Sequence, residues 1–232
     1  MELILQPKKG KENNSEYAYR ILRNNIMTLQ LPPGAILNEN DLSSLLEVSR
    51  TPIHEAVIKL KGEYLVNVYP QSASKVSLIN LEILKEGLFL RSIVEPAIIK
   101  KIAGMISSEG LRPLKDNLNL QEAAICSENP IINFFKLDDE FHQSLYNLAN
   151  KPKTWYSVKS VCSHYDRVRY IDAILNKTDL SDIFKDHKRI YHLMQMGITK
   201  ENEFDQFYKN HLETFNKSFD GLMEHYSQYF AI

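Results

Sequence analysis

Two groups of residues in this sequence could do chemistry, and the first would bind a metal ion. Asp138 and His142 lie four positions apart in FFKLDDEFHQSLYNLANKP, so both side chains project from one face of a helix. His187 and His211 lie in two other amphipathic segments, KDHKRIYHLM and FYKNHLETF. Three helices that turn such ligands inward could enclose a divalent cation. Imidazole and carboxylate ligands suit zinc, nickel, manganese or iron, and the spacing does not choose among them.

Each of these residues also has an ordinary structural interpretation. A histidine on a helix is commonly a hydrogen-bonded core or surface residue, and nothing local in the sequence joins His187 to His211. Four further histidines have no spacing that selects them, at positions 54, 164, 192 and 225. A metal-dependent hydrolase is an alternative function, because a metal site with an open position can activate water. The sequence lacks His-Glu-x-x-His and Gly-x-Ser-x-Gly motifs, which disfavours this alternative.

The second group is Ser49, Arg50 and Thr51, which precede Pro52 at the start of an apolar helical pattern. Proline is tolerated in the first turn of a helix, and Thr51 is a suitable N-cap. Arg50 is then left at the N-terminal edge of the helix without an obvious structural role. It could bind guanine through two hydrogen bonds or bind a phosphate, and the helix dipole favours the same anion. The alternative is an ordinary surface arginine.

The elements around this group predict a winged helix-turn-helix over residues 15–80, after a flexible tail at residues 1–14. A helical pattern begins at Ser15 and ends at LPPG, and NENDLSSLLE restarts a helix with Asn38 or Asn40 as its cap. YLVNVYP and KVSLIN flank the polar QSAS, which predicts a β-hairpin. In a winged helix-turn-helix the second helix of the pair enters the major groove, N-terminal end first. That geometry would give Arg50 its role.

The rest of the chain predicts an all-α helical bundle over residues 81–232, so the fold class is mainly α. Helical periodicity continues from Leu81 to Tyr229, and breaks near 107–110, 127–130, 150–153, 176–179 and 196–200 divide it into about six helices. Strand signals vanish in this part of the sequence. Residues 77–81 would link the bundle to the first domain.

The amino-acid composition excludes fewer classes of function than the motifs do. A net charge of −1 and a pI near 6.7 give no global sign of nucleic-acid binding. Two cysteines are too few for a disulfide framework and fit a reducing cytosol. The N-terminal segment lacks the pattern of a signal peptide, and no apolar run is long enough to span a bilayer. The sequence therefore predicts a cytoplasmic protein without a membrane partner.

The first part of the chain resembles the DNA-binding domain of the GntR family of bacterial transcription regulators. The residues that match its pattern are Pro33, Gly34, Leu37, Glu39, Val48, Ser49, Arg50, Thr51, Pro52, Glu55, Ala56, Leu60, Glu63, Leu65, Val66, Pro70 and Val76. The resemblance implies binding to double-stranded operator DNA as a homodimer. The residues it implicates are Ser49, Arg50, Thr51 and His54, with Lys75 on the wing.

Three positions depart from the pattern of that family. His54 stands where arginine is usual, and Tyr64 and Ala73 stand where glycine is usual. Histidine lacks the permanent forked charge of arginine. These departures imply a different operator or weaker binding, and they leave open a sensor module with weakened DNA binding.

The second part of the chain is similar to the FCD-type effector domain of GntR regulators. The resemblance implies that Asp138, His142, His187 and His211 hold the divalent metal ion. It also implies a small organic or sugar acid as the effector, with Arg91 in its pocket. A salt bridge from Arg91 to Glu95, at i+4 on the same helix, is the alternative for that arginine.

Overall fold

The N-terminal part of the chain folds as the predicted winged helix-turn-helix. A computed structural model describes residues 3–69, 73–175 and 179–231. The first elements in order are α1 (Asn14–Met27), β1 (Ile36–Leu37), α2 (Glu39–Leu46), α3 (Arg50–Gly62), β2 (Val66–Asn67) and β3 (Ser74–Val76). The three strands form an antiparallel sheet in the order β1–β3–β2. The predicted turn between the hairpin strands, at residues 71–74, lies partly outside the described residues.

Local capping explains where the helices of this part begin. The Asn13 side chain accepts a hydrogen bond from the Glu16 N–H, and the Glu16 carboxylate accepts one from the Asn13 N–H, which is a capping box. Asn38, one of two predicted caps, caps α2. The predicted cap of α3 is wrong. Ser49 occupies the cap position and Thr51 lies inside the first turn, where Pro52 is tolerated because those N–H groups have no intrahelical partner.

The second part is the predicted all-α bundle, with more helices than expected. Its described helices are α4 (Leu81–Ile102), α5 (Arg112–Ile125), α6 (Pro130–Leu148), α7 (Pro152–Val161), α8 (Ser163–Leu175), α9 (Leu180–Met196), α10 (Glu201–Leu212) and α11 (Phe219–His225). The structure has eight described helices where about six were predicted, because helical structure is interrupted at Cys162 and again after Leu212, where a 3-10 turn follows. Neither break contains proline or glycine. Of the predicted break at 176–179, residues 176–178 lie outside the described residues.

Each part of the chain has its own hydrophobic core. In the first part, Ile21, Leu22 and Ile53 are fully buried where α1 packs on α3. In the bundle, Phe134 and Phe141 of α6 are fully buried. The described residues before α1 contact that helix through the Ile4 N–H, which donates to Asn25 at 2.8 Å, and through the Arg20–Glu12 ion pair. The domain boundaries at 14 and 80 stay predictions.

The link between the two parts is held by contacts from distant segments. β4 (Ile79–Asn80) pairs in parallel with β5 (Phe230–Ala231), a strand that the sequence did not predict because two residues carry no periodicity. From α8, the Arg167 guanidinium donates to the hydroxyl and carbonyl of Ser77, at 3.0 and 2.9 Å. The Nδ1 atom of His164 accepts from the Asn80 N–H at 2.9 Å. We call residues 77–80 the linker.

Two further facts bear on this region. Close to the linker, His164 Nε2 donates to the carbonyl of Tyr64, whose φ of 59° lies in the left-handed region. At Gly87 of α4, an added Cβ would lie 2.8 Å from the carbonyl oxygen of Val161, so glycine permits close packing of α4 on the junction of α7 and α8.

None of the described helices is long and apolar enough to cross a membrane.

Candidate functional site

Three of the four predicted metal ligands converge inside the bundle. α6 positions His142, α9 positions His187 and α10 positions His211, and one ring nitrogen of each lies within 4.8 Å of the other two. The Nε2 atoms of His142 and His211 are 3.4 Å apart. All three side chains are buried. We call these residues the histidine cluster.

A second layer of side chains orients the three rings. The acceptor opposite each Nδ1 is Glu95 Oε2 at 3.1 Å for His142, Gln121 Oε1 at 2.7 Å for His187, and Asp186 Oδ2 at 3.2 Å for His211. The Gln121 amide is oriented by its own donation to Asn117. Because carboxylate and amide oxygens only accept, each Nδ1 carries a hydrogen, and the Nε2 atom of each ring in its neutral form has a free lone pair. This is the arrangement of metal-ligating histidines.

The protonation of the cluster also fits a cation. Burial lowers the pKa of His187 well below its ordinary value, and burial likewise lowers the pKa of His211. Both rings are therefore neutral at neutral pH, which is the form that binds a metal. The Nε2 atom of His187 is buried and has no hydrogen-bond partner among the described residues. A buried acceptor of this kind costs free energy unless something donates to it or coordinates it.

Asp138, the fourth predicted ligand, borders the cluster but is already paired. Its Oδ1 atom lies 3.5 Å from His187 Nε2. Both of its oxygens accept from the Arg169 guanidinium of α8, at 3.0 and 2.8 Å. Burial opposes ionisation of the carboxyl, but Arg169 and the nearby histidine His142 hold the pKa of Asp138 well below its usual range. The sequence analysis did not identify Arg169.

Arg91 forms the salt bridge that was the alternative to an effector site. Its guanidinium donates to Glu95 at 2.9 and 3.2 Å, and both side chains are buried. The same carboxylate accepts from the hydroxyls of Tyr208 at 2.7 Å and Tyr146 at 3.3 Å. The Arg91 Nη1 atom has no hydrogen-bond partner among the described residues. Arg91 is thus joined to the histidine cluster through Glu95, and its role toward an effector stays a prediction.

The predicted DNA-contacting residues lie on the surface of the first part. Ser49, Arg50 and Thr51 are exposed at the N-terminus of α3, and within the described residues the Arg50 side chain forms no ion pair or hydrogen bond. Lys75 is exposed on β3. His54 is also exposed, but its Nδ1 atom lies 3.0 Å from the carboxylate of Glu39 at the start of α2. His54, which stands where the sequence analysis expects arginine, is thus paired with a carboxylate.

One family model matches each of the two parts of the chain. The model of bacterial regulatory proteins of the gntR family matches residues 14–76, and the FCD domain model matches residues 86–201. The chain belongs to the GntR family. As a GntR protein with an FCD domain it is a transcription regulator rather than an enzyme, and the alternative of a metal-dependent hydrolase is not supported.

Curated relatives agree with that assignment, and a solved structure has the same fold. The chain is 31% identical over 219 residues to the HTH-type transcriptional repressor RspR of Escherichia coli, covering 94% of this chain and 93% of the repressor. It is 35% identical over 160 residues to an HTH-type transcriptional regulator of Streptomyces ambofaciens, covering 69% and 66%. A GntR regulator from Rhodococcus sp. RHA1 has the same fold at 23% identity, with a TM-score of 0.72 over 89% of this chain and 97% of that one.

Proposed function

We propose that this GntR regulator represses transcription in the cytoplasm by binding operator DNA as a homodimer through α3 and the wing. In this proposal the bundle holds a divalent metal ion and responds to a small organic or sugar acid. The observation that carries the DNA-binding role is Arg50, which is exposed at the N-terminus of α3 without a partner among the described residues. The name of the E. coli relative, a repressor, supports the direction of regulation.

Several charges and donors at α3 favour a polyanion. The hydroxyls of Ser49 and Thr51 can donate to phosphate oxygens, and the positive end of the helix dipole lies at the same place. Arg50 can read guanine through two hydrogen bonds, which is worth about 1–3 kcal/mol of discrimination. Lys75 on the wing adds a phosphate contact. Two copies are proposed because one recognition helix reads only a few bases.

An experiment on Arg50 tests the DNA-binding role. Fluorescence anisotropy would measure the affinity of wild type, Arg50→Ala and Arg112→Ala for a fragment of the protein's own promoter at several salt concentrations. Arg112 is a matched control, since it is an exposed arginine of the bundle. We expect Arg50→Ala to lose roughly tenfold or more in affinity and to reduce the salt slope by about one, whereas Arg112→Ala changes neither. Equal affinities and slopes would refute the assignment of α3.

The histidine cluster supports the proposed metal. His142, His187 and His211 would hold the ion, with Asp138 as the fourth ligand, because one ring nitrogen of each histidine lies within 4.8 Å of the others and a carboxylate borders them. When bound, the ion would supply a positive charge and an open position for a carboxylate effector. Elemental analysis and native mass spectrometry of protein purified without chelator or nickel resin would test this. Metal that is present in wild type and absent from His187→Ala would support the histidine cluster as the metal site. Wild-type protein without metal would contradict the site.

Exposed apolar side chains support the homodimer. Phe89 and Ile93 of α4 are 65% and 52% exposed, and Tyr156 of the neighbouring α7 is 65% exposed. Such side chains on adjacent helices suit an interface that removes them from water. The same native mass spectra would report the dimer, and a Phe89→Glu variant would be monomeric. A monomeric wild type at micromolar concentration would contradict the proposal.

One observation favours the second candidate, a sensor module with weakened DNA binding. The Glu39 carboxylate holds His54 and adds negative charge near the surface that would meet phosphates. Replacing Glu39 by glutamine would release His54 and strengthen operator binding several-fold if the leading function is right. No operator binding by wild type or by Glu39→Gln would favour the sensor module.

A further inference from the structure

Asp138 has two competing uses in this bundle. Among the described residues it is the carboxylate that lies beside the bare Nε2 side of the histidine cluster, 3.5 Å from His187. Glu95 and Asp186, in contrast, contact the opposite ring nitrogens, Nδ1. The oxygens of Asp138, however, are both occupied by the forked guanidinium of Arg169. A bidentate arginine–carboxylate pair takes up two of the roughly four lone-pair sites of the carboxylate and withdraws negative charge that a metal ion would attract.

Charge disfavours the two uses at the same time. Arg169 and Asp138 are both buried, so water screens neither of them well. A divalent cation in the cluster would lie beside the guanidinium that shares its carboxylate, and like charges in a low-dielectric interior repel strongly. Arg169 also rests against aromatic rings, 4.8 Å from the centre of Phe135 and 5.5 Å from that of Tyr165. Releasing the arginine therefore disturbs the packing of α8.

The other side of α8 holds the linker. Arg167 lies two positions before Arg169, which on a helix is a rise of roughly 3 Å and a turn of roughly 200°. Its guanidinium donates to the hydroxyl and carbonyl of Ser77, and His164 of the same helix accepts from the Asn80 N–H. A displacement of α8 at Arg169 therefore reaches the linker within one turn of the helix.

We propose that Arg169 and a divalent cation compete for the carboxylate of Asp138, and that this exchange changes the hold of α8 on the linker. Arg169 is thus the element that connects the histidine cluster to the orientation of the DNA-binding part. The competition presupposes the proposed metal site. Coupling of this kind is reciprocal, so whatever stabilises the Arg169–Asp138 pair weakens binding of the cation by the same factor.

The test compares cation affinity in variants of the full chain. Zn²⁺ and Mn²⁺ would be titrated calorimetrically into chelator-treated wild type, Arg169→Met and Arg112→Met. We expect Arg169→Met to bind the cation about tenfold or more tightly than wild type, within the 5- to 150-fold range typical of coupled sites. Arg112→Met removes an exposed positive charge of the bundle and should match wild type. Equal or weaker binding by Arg169→Met would overturn the competition.

Hydrogen–deuterium exchange supplies a readout in wild type itself. Adding the cation should increase exchange in α8 and in residues 77–80 while leaving α2 and α3 unchanged. If Arg169→Met does not fold, Arg169→Lys keeps the charge but loses the fork, and it should bind the cation more tightly than wild type does. One outcome would overturn only this inference: wild type binds the cation and His187→Ala does not, but the cation leaves hydrogen exchange in α8 of wild type unchanged. Failure of wild type to bind any cation would overturn the metal site as well.

Discussion

Removing the buried carboxylate of Glu95 should destabilise the bundle severely, and a small acid should restore it. In Glu95→Ala the Arg91 guanidinium loses two hydrogen bonds at 2.9 and 3.2 Å in a site where both side chains are 1% exposed. Leaving one member of a buried ion pair alone costs about 3–5 kcal/mol. The hydroxyls of Tyr208 and Tyr146 lose an acceptor too, so we expect a loss of about 4 kcal/mol in the free energy of unfolding.

The assay is denaturant unfolding followed by tryptophan fluorescence. Trp155 is the single tryptophan of the sequence, is buried in the bundle, and has its ring centre 5.3 Å from that of Tyr146. The signal therefore reports on the surroundings of Glu95. Glu86→Ala is the matched control, because Glu86 is an exposed carboxylate of the same helix. It should change the free energy of unfolding by less than about 0.5 kcal/mol.

Rescue by a carboxylate makes the prediction specific. The alanine variant has a cavity beside a buried guanidinium, so acetate or propionate should bind there. The resulting stabilisation should approach about 2.7 kcal/mol at a hundred times the Kd. Chloride at equal ionic strength should not do this. A loss below about 1 kcal/mol, or equal effects of acetate and chloride, would refute the reasoning. If the alanine variant does not fold, Glu95→Gln keeps the volume, so it should be less destabilised and insensitive to acetate.

Three further predictions concern stability. Gly87→Ala should lose about 1 kcal/mol, since overpacking against the junction of α7 and α8 exceeds the gain in helix propensity; Gly62→Ala, which meets no neighbour within 4 Å, should be neutral or stabilising in thermal denaturation. Tyr64→Gly should raise Tm, because it removes the steric strain of a non-glycine residue in the left-handed region. The extra conformational entropy of glycine in the unfolded chain offsets only part of this stabilisation. Acid should unfold the bundle: the pKa values of Glu95 and Asp138 are held below their ordinary values, so their stabilisation is present above about pH 4 and is lost as the pH falls through the folded pKa values. Trp155 fluorescence at decreasing pH would measure this, and a flat profile would contradict it.

The winged helix could be predicted in detail because its signals are local. Asn38 caps α2, and the apolar residues of α3 recur at helical spacing. The end of α1 was placed too late, because the helix ends at Met27, before the proline and glycine of LPPG. The cap of α3 was misplaced by two residues because Pro52 fits more than one position in a first turn. The break at Cys162 was missed because no proline or glycine marks the end of α7 there.

The candidate site could be predicted only in part, because its side chains come together from different helices. The i+4 rule finds Arg91–Glu95 on one helix, but Arg169 lies 31 positions from Asp138 on another helix, and periodicity carries no information about such pairs. The partners Gln121 and Asp186 likewise come from other helices. No local signal distinguished Arg169, because the same segment also contains His164, Asp166, Arg167 and Asp172.

The pairing of β4 with β5 imposes an order of assembly on the molecule. Ile79 and Phe230 meet although roughly 150 residues separate them, so this contact has one of the highest loop-closure costs in the fold. During synthesis the winged helix leaves the ribosome and can fold long before its partner strand exists. The β4–β5 pair is therefore the last of the described linker contacts that synthesis makes possible, after those that Arg167 and His164 of α8 provide.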